Sequence, residues 1–412
     1  MRAPGADAHH VGRAVALQTA CAVPGFITGG VVVQLREDFP VSELALGVAF
    51  SIYWGVAAVA SAPAAKLVER IGPGTAMRLA GVIAAASCAA IALFVGSIMA
   101  LIGLLAVGGL SISLATPGVN ALFVRSVPPD RRALAFGLSQ SGPPAGLLLA
   151  GLAVPVVAEP AGWRAVFVGA AVLALAAAAV APHGEAGTAP GAASAAPTTP
   201  PDLRPLAVVM LGVTLANGAL GALNAFLVAA APQAGVDPST AAITLAVGSA
   251  ITIAFRIGVG ARTDRRGGGD PLPMVIGLLV TGAVGFALVA TQQPVTFLSG
   301  ALLVLIFGWG WMGLFTFAVV ARYAASPETA TGVMQTGFFA GGVLGPVGFG
   351  LLVQTGSFTL GWIVATVGAL AAAGAVAAAR RVLPPHQLRA TRIEPLPEVP
   401  PGDGTGGPRG AR

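Results

Sequence analysis

Residues 99–124 read MALIGLLAVGGLSISLATPGVNALFV, without a single charged side chain. A helix rising 1.5 Å per residue crosses the roughly 30 Å hydrocarbon core of a bilayer with about 20 residues. This stretch is long enough to do so. Its glycines and serines suit a helix that packs closely on others inside lipid. A soluble fold has no use for so long an uncharged run.

The same reading repeats outward in both directions. Apolar stretches run over 13–35, 43–64, 77–97, 99–124, 133–158 and 163–182, then over 205–231, 239–261, 272–291, 295–321, 330–355 and 357–379. Twelve spans are therefore expected. Composition agrees: 56% of the 412 residues are hydrophobic and 9% are charged, against roughly 25% charged in soluble domains. Too little charge is present to clothe a water-soluble surface. Cys21 and Cys88 both sit in apolar stretches, so they read as small buried hydrophobes and not as a disulfide or metal framework. The polar start, followed by an over-long apolar run, predicts no cleavable signal peptide.

Between the sixth and seventh spans the sequence turns to HGEAGTAPGAASAAPTTPPDLR, which reads as a disordered linker over 183–204. The Pro-rich tail 381–412 reads the same way. The expected organisation is an N-terminal segment 1–12, a six-helix bundle 13–182, the linker, a second six-helix bundle 205–380, and the tail. Charge placement fixes an orientation. With the N-terminus cytoplasmic, only Arg36 and Arg164 of the 22 Lys and Arg fall on the outer side, and Arg256 alone falls within a span. That is the positive-inside pattern, and both termini are expected in the cytoplasm. It accounts for the net charge of +6 without nucleic acid as a partner. The Ala-, Gly- and Arg-rich composition points to a bacterial source.

The two bundles echo each other. Glu69-Arg70-Ile71-Gly72 after the second span matches Asp264-Arg265-Arg266-Gly267 after the eighth at an offset of 195 residues. Gly137-x-x-Gln140-x-Gly142 matches Gly332-x-x-Gln335-x-Gly337 at the same offset. Two matches at one offset point to a parallel internal repeat. In these residues the chain resembles the major facilitator superfamily, whose G-x-x-x-D-R-x-G turn is met by Gly260 to Gly267. The copy from Ala65 to Gly72 departs from it at Ala65 and Glu69. Gly162-Trp163-Arg164 and Gly341-x-x-x-Gly345-Pro346-x-Gly348 also look like the family. The resemblance covers about 12–380. It implies an all-α membrane protein of twelve transmembrane helices in two pseudo-symmetric halves that rock about a central site. It also implies a conformational latch at Glu69, Arg70, Gly72, Gly260, Asp264, Arg265 and Gly267. The rival reading of these turns is a simple anchor of snorkelling charges.

What lies within the spans narrows the chemistry. All 16 Asp and Glu and all 4 His fall outside the spans or at their ends, so no proton-relay carboxylate or imidazole is expected near the midplane. Asp38 and Glu43, near the outer mouth, stay open as coupling groups. Arg256 reads either as an anion-attracting site or as a structural arginine bonded to carbonyls. Asn217 and Asn224, seven apart, share one face of the seventh span. Since spans one, four, seven and ten line the cavity in the family, Gln18, Asn120, Asn217, Asn224 and one of Trp309 and Trp311 are candidates by resemblance. Gln140 and Gln335 occupy equivalent places in spans five and eleven. Interhelical hydrogen bonding is the rival role for each amide. Ser141-Gly142-Pro143-Pro144 reads first as a kink.

No phosphate loop, nucleophile elbow or metal-ligand spacing appears, so no enzyme, cofactor or metal is expected. The expected function is a monomeric secondary or facilitated carrier of the cytoplasmic membrane. It moves a small organic solute, with an organic anion favoured, and a coupled proton or ion is left open. Efflux of lipophilic compounds is the alternative, and a membrane sensor that has lost transport ranks behind it.

Overall fold

The computed structural model describes residues 4–126, 138, 140–182, 204–265, 269–323 and 327–384. Every regular element among them is helical. Helix α1 runs over Pro4–Gly30, bends by 64° and continues over Val32–Asp38. Helices α2 (Glu43–Ile71), α3 (Pro73–Phe94) and α4 (Ile98–Ser126) follow. Helix α5 begins at Gly142, passes through a π turn at Val154–Ala158 and ends at Ala161; α6 is Trp163–Ala179. The second half comprises α7 (Arg204–Ala230), α8 (Pro238–Arg265), α9 (Leu272–Ala290), α10 (Pro294–Leu303, a π turn at Val304–Gly308, then Met312–Arg322), α11 (Pro327–Thr355) and α12 (Phe358–Val382). Ten of these are long and apolar enough to span a membrane, the bent α1 is an eleventh, and α6 is a shorter apolar helix of 17 residues.

Local chemistry sets the ends. Ser42 caps α2 by accepting from the Ala45 N–H, and Ser357 caps α12 by accepting from Leu360, each meeting one orphan donor of a helix start. Gly72 and Gly162 both hold φ near +81°, a conformation L side chains rarely adopt. They let the chain reverse at once into α3 and α6. Pro143 and Pro144 lack N–H groups and stand in the first turn of α5, directly after the break at Gln140 and Ser141. The described part of the fifth span is continuous from Gly142, and Leu138 is helical ahead of the turn at Gln140 and Ser141. Residues 133–137 and 139 of the expected span, Gly137 among them, lie outside the described residues. Helix α1 begins at Pro4, continuous with the segment expected to precede it. The linker expected over 183–204 and the tail over 381–412 lie outside the described residues, apart from Arg204 and 381–384.

The halves meet along two long seams, α2 with α11 and α5 with α8, and where α1 crosses α7. Call the face where the linker and tail emerge the linker face, and the other the far face. Toward the far face the seams are tight. A Cβ added at Gly151 would stand 2.5 Å from the Ala242 carbonyl oxygen, and one at Gly350 would stand 2.6 Å from that of Glu43. A Cβ at Gly29 would stand 2.7 Å from the Asn224 carbonyl oxygen, and at Gly47 a side chain would strike Pro346. Ser239 Oγ donates across the halves to Glu159. Toward the linker face, α2 presents Val59 at 83% exposure, and Lys66, Glu69 and Arg70 are exposed as well. The far face is closed in this state.

Candidate functional site

Midway through the molecule an aromatic layer bridges the halves. Phe26 of α1 lies 5.7 Å from Trp54 of α2 and 6.1 Å from Trp309 of α10, ring centre to ring centre. Trp54 lies 6.1 Å from Phe338 of α11. The layer holds because glycines let helices approach. Gly342 stands against Trp54, and Gly341 of α11 has the Thr214 carbonyl of α7 so near that no side chain fits. Trp311 packs 5.7 Å from Phe315 in its own half, and its indole N–H has no partner among the described residues.

Trp309 and Trp311 are not on a continuous helix. The chain leaves its helical pattern over 309–311, which frees backbone carbonyls in a place without water. Arg256 of α8 answers this need. It is 3% exposed. Its Nε donates to the Trp309 carbonyl at 3.1 Å and Nη2 donates to the same oxygen. Its Nη1 donates to the carbonyl of Gln140, in the turn before α5. The guanidinium also lies 5.6 Å from the centre of the Trp309 ring. Beside it, between α8 and α10, Val259, Gly260, Gly310, Gly313, Leu314 and Phe317 line a crevice of ≈ 10 Å³, room for about one water.

The other expected residues divide. Gln18 is buried against Gly142, Asn224 is buried as well, and neither Gln18 Oε1 nor Asn224 Oδ1 has a partner among the described residues. Asn217 donates from Nδ2 to the Phe338 carbonyl at 2.7 Å, which ties α7 to α11. Gln335 is half-buried within α11. Asn120 is exposed late in α4, and Gln140 contributes its carbonyl to Arg256. Of the residues expected to form a latch, Gly72 forms the turn, while Glu69 and Arg70 are exposed and make no ion pair among the described residues. Gly260 is buried and Arg265 exposed. The Asp264 side chain and Gly267 lie outside the described residues.

Three polar clusters were not legible from residue types. At the far face Asp38 accepts from Trp163 Nε1 at 3.0 Å and from Arg164 at 3.1 Å, while Arg164 also donates to the Val95 carbonyl. Glu43 pairs with Arg36 at 2.7 Å. Both carboxylates held open as coupling groups are therefore engaged in ion pairs. Near them Gln34, Glu37 and Glu159 border a cleft of ≈ 420 Å³ within the first half. At the linker face Asp270 pairs with Arg322 at 2.8 Å and Arg380 at 3.3 Å. Burial, the largest influence on the Asp270 carboxyl, raises it. The hydrogen bonds from Arg322 and Leu272 and the charges of Arg322 and Arg380 outweigh burial, so it sits below its ordinary value.

Against known proteins, the family model described as Major Facilitator Superfamily matches residues 15–346. Among solved structures, a bacterial homolog to the human lysosomal transporter Spinster, in an inward-facing and occupied conformation, shares the fold with a TM-score of 0.66. The match covers 90% of this chain and 96% of that one at 16% identity. A search of curated proteins finds no match.

Proposed function

We propose that this chain, which belongs to the Major Facilitator Superfamily, carries a small organic anion across the cytoplasmic membrane of a bacterial cell by alternating access. Both termini face the cytoplasm, so the closed far face is the outer one. The observation that carries the reading is the charge of the interior. Between the halves stand a guanidinium and an aromatic layer, and no carboxylate pairs with Arg256 among the described residues. Such a site repels cations and offers an organic anion both a counter-charge and ring faces to lie against. The solute sits on the linker side of Phe26, Trp54, Trp309 and Phe338, beside Arg256.

A thermal-shift comparison on the full chain in detergent tests it, with benzenesulfonate and phenyltrimethylammonium as size-matched probes of fixed, opposite charge. A ligand bound only to the folded state stabilises it by about 2.7 kcal/mol at a hundredfold excess over Kd. Benzenesulfonate is expected to raise Tm, and the same probe is expected to exchange across proteoliposomes. Stabilisation by the cation alone contradicts the anion reading. It favours a second one, efflux of lipophilic cations, which the aromatic layer also accommodates through its ring faces.

A further inference from the structure

Arg256 stands where two interrupted helices from opposite halves come together. In its own half it satisfies the carbonyl freed by the break in α10, at Trp309. In the other half it satisfies the carbonyl of Gln140, in the turn that precedes α5. A guanidinium carries five N–H donors in a rigid fork. Three serve these two oxygens, and two remain. The Gln140 bond lies far along the α5–α8 seam. Arg256 is 18 residues into α8 from Pro238 at the far face, about 27 Å along the axis.

We infer that Arg256 is an anion-released clasp between the halves. While the site is empty it holds α8 to the start of α5. An anionic solute arriving from the linker face takes the guanidinium from the Gln140 carbonyl and so cuts the tie. The inference rests on the transporter reading above and adds how loading is coupled to motion. A carbonyl offers one partial charge to one N–H. A carboxylate or sulfonate offers a full charge and parallel acceptors, and such bonds are roughly twice as strong. The Trp309 bonds lie within one half and survive the exchange, which keeps the arginine in place. An uncharged solute has nothing to outbid the carbonyl. Charge on the solute thereby opens the seam, and no titrating carboxylate is needed inside the spans.

The test reads inter-half distance and not flux. Spin labels go on Lys66→Cys and Arg262→Cys, exposed near the linker ends of α2 and α8; the native Cys21 and Cys88 are buried. In the full chain in lipid nanodiscs, Arg256→Gln is expected to shift the ratio of distance populations about tenfold. Benzenesulfonate is expected to move the wild type the same way, and chloride at equal ionic strength to leave it in place. Gln140→Ala keeps the carbonyl and should leave the empty-state distribution unchanged. If Arg256→Gln folds poorly, Arg256→Lys carries the comparison, since an ammonium lacks the planar fork that spans both carbonyls. A variant distribution that superimposes on the wild type overturns the clasp. So does a wild type that benzenesulfonate fails to move, or a benzenesulfonate shift that persists in the variant. A purely structural arginine would lower Tm and leave the distances alone. Flux of benzenesulfonate is measured separately, so the transporter reading stands or falls apart from the clasp.

Discussion

At the scale of the residue, the account turns on backbone acceptors that residue types do not reveal. Arg256 stands out in the sequence as the one charge within a span, yet its partners are the carbonyls of Gln140 and Trp309. Gln140 draws notice for its side chain and contributes its carbonyl, as any residue in that turn would. A second case is Asp270, which ties α10 and α12 together through Arg322 and Arg380. Its carboxyl is depressed in the folded chain, against an ordinary value of about 3.9 for an unfolded Asp. A depressed carboxyl adds stability that is fully present above the unfolded value and lost as pH falls through the folded one. Asp270→Asn is thus expected to lower Tm at neutral pH, leaving Arg322 buried without its counter-charge. The gap to wild type should close as pH falls below about 4. A gap that stays constant across that range would assign the loss to packing.

At the scale of the element, helix existence is legible and helix interruption is not. Runs such as 99–124 are apolar for longer than any other explanation allows, and α4 forms where they place it. The breaks follow from subtler causes. Pro143-Pro144 reads as a kink from composition, and the two residues without N–H groups stand in the first turn of α5, beside the break at Gln140 and Ser141. Glycine density announces close packing without saying against which partner. Gly151 packs on Ala242 and Ala246 across the α5–α8 seam. The bulk of Gly151→Leu should hold the far face apart, since overpacking a tight contact costs about 1–3 kcal/mol. Disulfide formation between Glu159→Cys and Ser239→Cys, neighbours across the same seam, should slow by about fivefold or more in that background. Unchanged cross-linking would mean that the seam yields elsewhere.

At the scale of the molecule, the two halves and the membrane setting are legible in the twelve apolar runs, and a parallel repeat is expected from the two motif pairs at one offset. The state of the seams is not legible, because under the proposed alternating access one sequence serves both ends of the cycle. In this state the far face is shut by Gly29, Gly47, Gly151 and Gly350 and by the Ser239–Glu159 bond. Glu69 and Arg70, at the opposite face, are exposed without ion pairs among the described residues. We propose that these residues form a latch that engages only when the linker face closes. The central claim is that transport requires the far-face seam to open and shut. The direct measurement is benzenesulfonate exchange by the Glu159→Cys/Ser239→Cys double variant in proteoliposomes, oxidised and then reduced. Exchange is expected to be abolished by the disulfide and restored by reductant. Exchange that continues at the wild-type rate with the disulfide closed would contradict it.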